Sequence, residues 1–339
     1  MRNRYKAIII VVFLLPLMVY DVIKYFTLPE KIKERQPLVE VQIPKGASLQ
    51  QVADTLEKKG LIKNAPIFVL WAKGLGIENK IPSGKFKIPV GLTYAQLANY
   101  LTHVKPEFVS VTLIEGWPTK RVLDALSKSL HLDRKKMDSL ATDSLFLKQF
   151  GIPASSVEGY LLPDTYVFAE GISEEQVMRF LIEQTLNIFK SDSVQKRMKE
   201  LGLTRHQVLT LASIVEGEAM IDEERPLIAS VYLNRLKIGM KLQADPTIQF
   251  LLPDGPRRLT YKDLQIDSPY NTYLYRGLPP GPINNPSKAS ILATLFAAKT
   301  NYLYFVARGD GSHVFTKTAH EHLKAKRKLN KLRKKIYGY

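Results

Sequence analysis

The chain has no cysteine among its 339 residues, so disulfides and a thiol nucleophile are both excluded. Histidine is scarce: the six present show no metal-ligand spacing, no His-Glu-x-x-His occurs, and His320 and His322 simply stand two apart near the C-terminus. A Gly-x-Ser-x-Gly elbow and a phosphate loop are missing too, which sets aside the serine-hydrolase and nucleotide chemistries that depend on them. There is no internal repeat and no low-complexity tract. No cofactor and no metal are expected.

Acidic residues are the minority charge. With 32 Asp+Glu against 49 Lys+Arg, the net charge is +17. Nucleic acid is the first partner such a balance suggests. Part of the excess is local, because eight of the twelve residues from Lys324 to Lys335 are basic. Ala325, Leu329, Leu332 and Ile336 recur there at helical spacing, which reads as a terminal helix with one packed and one solvated face. Attraction to anionic lipid or an anionic envelope polymer is the second reading of that helix.

Long apolar runs are rare. The first follows Met1-Arg-Asn-Arg-Tyr-Lys6 and is uncharged from Ala7 to Tyr20. Extended to about residue 27, past Asp21 and Lys24, it reaches the length of roughly 20 residues that a spanning helix needs. No small-x-small cleavage site follows the run, so an uncleaved anchor over 7–27 is expected rather than a signal peptide. Arg2, Arg4 and Lys6 place residues 1–6 in the cytoplasm and the rest outside the membrane, which argues against a nucleic-acid partner. No second run of that length appears, so one span is expected.

Residues 28–37 read as a proline-bounded linker. A small βα…β module over 38–104 comes next: strand Val39–Ile43, a helix capped by Ser48, a helix near Pro66–Lys73, strand Lys85–Ile88 and a helix from Thr93. From residue 105 to 339 the pattern is α+β. A strand opens at Val109, the Glu115-Gly-Trp-Pro118 turn leads into a helix, a long helix covers about 173–189, and Tyr302–Val306 reads as a strand.

The chemistry points to carboxylates. Thr204-Arg-His-Gln207 has capping-box spacing and opens a helix whose Leu211, Ile214 and Val215 share one side with Glu218. Glu216 falls on the other margin, so the two acids cannot share one site. A carboxyl beside an apolar stripe is desolvated, and a raised pKa is what acid/base work near neutral pH needs. The plain alternative for Glu218 is a helix-surface residue or half of an ion pair. Gly217 tips the balance, because glycine inside a helix costs about 1 kcal/mol and is often kept for close approach. Asp164 and Asp245, each beside a proline, are candidates for a hydrolase pair or for turn fixing.

Several motifs occur in one order: Glu158-Gly-Tyr-Leu-Leu-Pro-Asp-Thr-Tyr166, Ala212-Ser-Ile-Val-Glu-Gly-Glu218, Val231-Tyr-Leu-Asn-Arg-Leu236, Met240-Lys-Leu-Gln-Ala-Asp-Pro-Thr247, Ser268-Pro-Tyr-Asn-Thr-Tyr273, Gly277-Leu-Pro-Pro-Gly281 and Tyr302-Leu-Tyr-Phe-Val306. Together they resemble the bacterial endolytic murein transglycosylases of the YceG-like family. The resemblance implies that Glu218 is the catalytic acid and that 38–104 is a LysM-like module. It implies that peptidoglycan strands are cut between MurNAc and GlcNAc, leaving a 1,6-anhydro end and releasing nascent strands, with peptidoglycan synthases as partners. A lone glutamate suffices there because the sugar's own C6 hydroxyl is the nucleophile. Candidates for holding the sugar are Glu158, Tyr160, Asp164, Gln243, Asp245, Thr247, Asn271 and Tyr273. For Asn271 a loop brace, and for the tyrosines ring packing, are the structural alternatives. A catalytically silent peptidoglycan-binding scaffold is the alternative for the whole chain.

Overall fold

The computed structural model describes residues 38–44, 46–103, 108–253 and 255–337. The expected anchor over 7–27 and the linker over 28–37 lie outside them. Among the described residues no helix is long and apolar enough to cross a membrane. The elements, in order, are β1 (Leu38–Ile43), α1 (Leu49–Lys58), α2 (Ala65–Gly74), β2 (Gly84–Pro89), α3 (Tyr94–His103), β3 (Phe108–Thr112), α4 (Thr119–Leu130), α5 (Arg134–Thr142) and α6 (Ser144–Gln149). They continue with β4 (Thr165–Ala169), α7 (Glu174–Ile188), α8 (Asp192–Leu201), α9 (Arg205–Glu218), α10 (Arg225–Lys237), α11 (Asp245–Gln249), α12 (Lys288–Leu295), β5 (Tyr304–Ala307), β6 (His313–Thr316) and α13 (Ala319–Tyr337). The class is α+β, with sheets of two strands each: β1 with β2, β3 with β4, β5 with β6.

The described residues divide into two compact units, one of those up to residue 109 together with 167–172, the other of 110–166 together with those from 173 on. In the first, β1 and β2 run antiparallel, from Leu38 opposite Pro89 to Ile43 opposite Gly84. Alternation along β1 buries Val41 and Ile43, and α1, α2 and α3 add Leu56, Phe68, Leu97 and Leu101 to the same core. Ser48 and Gln51 close the capping box that starts α1. Residues 167–172 are tied in by Lys85, which bridges Glu40 and Glu170, and by Gln42, whose amide donates to the Gly171 carbonyl. A sequence division at residue 104 does not anticipate this excursion.

The second unit is organised around α9. Thr204 and Gln207 form the capping box the sequence predicts. From Val208 to Val215 the helix is buried on every side, with α10, α11 and α12 packed against it. The hydroxyl side is therefore not a solvent side: Thr210 donates to the His206 carbonyl, and Ser213 donates to Thr210 and accepts from the Ile283 amide. Two strands escape the sequence reading. The end of the Glu158–Tyr166 motif runs into β4, and β6 completes a hairpin with β5.

Candidate active site

Glu218 is the last residue of α9. Leu211, Ile214 and Val215 below it are buried against Ile228, Ala229, Tyr232, Leu242 and Ile283, so the stripe ends in an apolar wall. Glu218 stays partly accessible at that wall. Tyr232 of α10 donates its hydroxyl to Glu218 Oε1 at 2.7 Å. The ring is fully buried and held edge-on by Phe305, with centroids 5.8 Å apart. Desolvation is the main influence on the Glu218 carboxyl and pushes it up to about 7; the Asp245 charge adds to the rise, while the Tyr232 hydrogen bond and Arg235 oppose it. Arg235 is kept one turn along α10 by carbonyls of Leu303 and Leu242.

Asp245 heads α11, and Tyr273 donates its hydroxyl to Asp245 Oδ1. Pro246, the next residue, lies on the last turn of α9: a Cβ on Gly217 would come within 2.7 Å of the Pro246 ring. Gly217 is therefore required by the approach of α11, which brings Asp245 beside Glu218. We expect Gly217→Ala to force the two elements apart, costing about 1–3 kcal/mol as overpacking does. Urea unfolding of the variant checks the cost, and an unchanged midpoint would show that α11 can shift freely.

Gln243 lies in the bend before α11 with φ of +47°, one of two non-glycine residues with positive φ among those described. Its backbone N–H donates to the Thr272 carbonyl, while its side chain is exposed and the side-chain carboxamide shows no hydrogen-bond partner among the described residues, so that group is available to a ligand. Asn271 and Thr247 are not. Asn271 is fully buried, donates to the Leu264 and Ile266 carbonyls and accepts from the Tyr273 amide. Thr247 is buried against Ala244 and Thr272. Both brace loops, since every polar atom they carry is already used inside.

Three further candidates lie elsewhere. Tyr160 is core: its hydroxyl meets His206 Nδ1 at 2.9 Å, and its carbonyl accepts from Thr185. Glu158 accepts from the Thr119 amide at the start of α4 and from Asn285 Nδ2, and burial raises its carboxyl to about 7. Asp164 is exposed and caps the Thr165 amide. Asp164 and Asp245 thus serve different turns, and no interaction between them occurs among the described residues. Glu216 faces away from Glu218, as the helical spacing predicts. It pairs with Arg225 of α10 at 3.1 Å and takes the amide and hydroxyl of Ser287, the N-cap of α12.

Sequence reasoning passes over Tyr232, Arg235, Arg225 and Ser287. Tyr232 and Arg235 sit inside the Val231–Leu236 motif at helical i,i+3 spacing, which was the available signal. Among the described residues no three His, Asp or Glu side chains converge as a metal site requires.

Fold and site together define an α+β protein whose central helix ends in a desolvated carboxyl, Glu218, that titrates at about 7. Residues 41–328 match the YceG-like family, and the chain belongs to it. A Bacillus subtilis (strain 168) protein named endolytic murein transglycosylase is 34% identical over 312 residues, covering 87% of this chain and 86% of that protein. A Streptococcus pneumoniae (strain ATCC BAA-255 / R6) protein of the same name is 28% identical over 79% of this chain and 54% of its own length. The crystal structure of a putative yceG-like protein from Listeria monocytogenes matches with a TM-score of 0.58 at 31% identity, over 86% of this chain and 99% of that one.

Proposed function

We propose that the chain is a lytic transglycosylase that cuts peptidoglycan strands within their length, with Glu218 as its acid and base. The observation that carries this reading is the Glu218 carboxyl itself: desolvated at the end of α9, held by one tyrosine and protonated up to about 7. In the first half of the reaction Glu218 gives its proton to the glycosidic oxygen, which leaves with the electron pair of the C1–O bond. Positive charge develops at C1 of MurNAc. In the second half the Glu218 carboxylate takes the proton of the C6 hydroxyl of the same sugar while O6 bonds to C1. The products are a free GlcNAc hydroxyl and a 1,6-anhydro-MurNAc end, and Glu218 is again protonated. No second protein carboxylate has to act as nucleophile, unlike the paired acids of most glycosidases.

Exposed Gln243 and the Asp245–Tyr273 pair are the groups best placed to meet the sugar. The family supports action outside the cytoplasm. Anchoring by residues 7–27, strand binding by a LysM-like module over 38–104, release of nascent strands and cooperation with peptidoglycan synthases complete the proposal. Digestion of purified sacculi, followed by mass spectrometry, tests the reaction. Anhydro-muropeptides are expected from the wild type and not from Glu218→Gln. The same products from both would remove Glu218 from the chemistry, and none from either would favour a non-catalytic peptidoglycan-binding scaffold.

A further inference from the structure

The Glu218 carboxyl has two oxygens, and the protein treats them differently. Oε1 accepts the Tyr232 hydroxyl; among the described residues that is the carboxyl's one hydrogen bond. A protonated carboxyl keeps its acceptor on one oxygen and its proton on the other. Burial holds the Tyr232 hydroxyl protonated far into the alkaline range, so it donates throughout. The tyrosine cannot follow the carboxyl elsewhere, because its ring is locked on α10 against Phe305.

The charge beside the carboxyl is held by a chain of contacts. Asn271 Oδ1 accepts the Tyr273 amide at 2.9 Å, Tyr273 donates to Asp245, and Pro246 seats the head of α11 on Gly217. The titratable and charged groups facing Glu218 are thus Tyr232 and Arg235 from α10, Asp245 from α11 and Tyr273 from the loop beyond it.

Resting on the catalytic reading of Glu218, we propose that Tyr232 and Asp245 are its positioning residues: Tyr232 occupies Oε1 and so assigns the transferable proton to Oε2, while Asp245, steered by Tyr273, sets a negative charge that holds that proton until the glycosidic oxygen takes it. The two act with opposite sign. The tyrosine stabilises the carboxylate that must exist between the two half-reactions, and the aspartate stabilises the acid that must exist before the first. Asn271, a loop brace by its contacts, serves the site at second hand by aiming Tyr273.

The opposition of signs is the test. In the full-length protein, the alkaline limb of the pH–rate profile on solubilised glycan strands reports loss of the Glu218 proton. Asp245→Asn removes the repelling charge and moves that limb to lower pH, by roughly half a unit or more. Tyr232→Phe removes the donor and moves it to higher pH. Infrared titration of the carboxyl band that disappears in Glu218→Gln reads the same proton without turnover. Opposite shifts in both measurements support the proposal. Active variants whose limbs stay in place, or move in the same direction, overturn it. Asp245 is exposed, so its variant keeps the test alive if Tyr232→Phe fails to fold. Failure of the catalytic reading is distinguishable: the infrared shifts would then appear in a protein that cuts no strands.

Discussion

Glu218→Gln is expected to lower strand cleavage by roughly 10³-fold and to make the protein more stable above pH 7. The rate follows from the double use of the residue: a positioned acid or base contributes about 10²–10⁴-fold, and glutamine can neither give nor take the proton. The stability follows from the same desolvation. Unfolded, the carboxyl ionises near its ordinary 4.5; folded, it keeps its proton to about 7. Between those values the folded chain binds more protons than the unfolded chain, so the wild type loses stability as pH rises through that window. Glutamine has no charge to bury and keeps an oxygen for the Tyr232 hydroxyl. The variant's advantage should therefore be near nothing at pH 4.5 and reach about 2 kcal/mol by pH 8, a value below the full linkage figure because Glu218 is partly exposed. Glu158, also pushed up to about 7, contributes the same slope to both proteins and cancels in the difference. Urea unfolding of both proteins at pH 5 and pH 8 measures it. A variant less stable than the wild type at pH 8 would mean that the carboxylate is well solvated, and the acid assignment would lose its physical basis.

Much of this was legible along single elements. Thr204, Gln207 and the Leu211–Val215 stripe define α9 locally, and 3.6-residue periodicity alone separates Glu218 from Glu216. Gly217 also announced a close approach, although not that Pro246 makes it. Contacts between elements were not legible. Tyr232 lies on α10, which is apolar on several faces and so carries no clear stripe to say which side meets α9. Asn271 and Gln243 lie in neighbouring loops and Thr247 in the short helix α11, yet Asn271 and Thr247 are buried and Gln243 is exposed. Neither a loop nor a helix of five residues is long enough for periodicity to distinguish those outcomes. β6 carries only four residues, and its pairing with β5 is fixed by packing under α13 rather than by local preference.

Arg225→Leu is expected to destabilise the second unit by about 3–5 kcal/mol, the cost of stranding one partner of a buried ion pair. Arg225 and Glu216 are each less than a tenth exposed in their side chains, and the guanidinium also binds Asp222 and Ser290. Removing the cation leaves Glu216 ionised in the interior with only the amide and hydroxyl of Ser287 to hold it. The damage would spread to activity through structure, since Glu216 is two residues from Glu218 and ties α9 to the head of α12. A second substitution separates the buried charge from the lost packing. Glu216→Gln in the Arg225→Leu background removes the stranded carboxylate while keeping an oxygen for Ser287, and should recover about half the loss. Denaturant midpoints of the two single variants and the double variant complete the cycle. If the double variant is as unstable as the sum of the singles, the pair is not coupled, and Glu216 and Arg225 stabilise the core independently. Recovery in the double variant, with cleavage returning alongside the folded fraction, would assign Glu216 to holding the helix and leave the proton chemistry to Glu218.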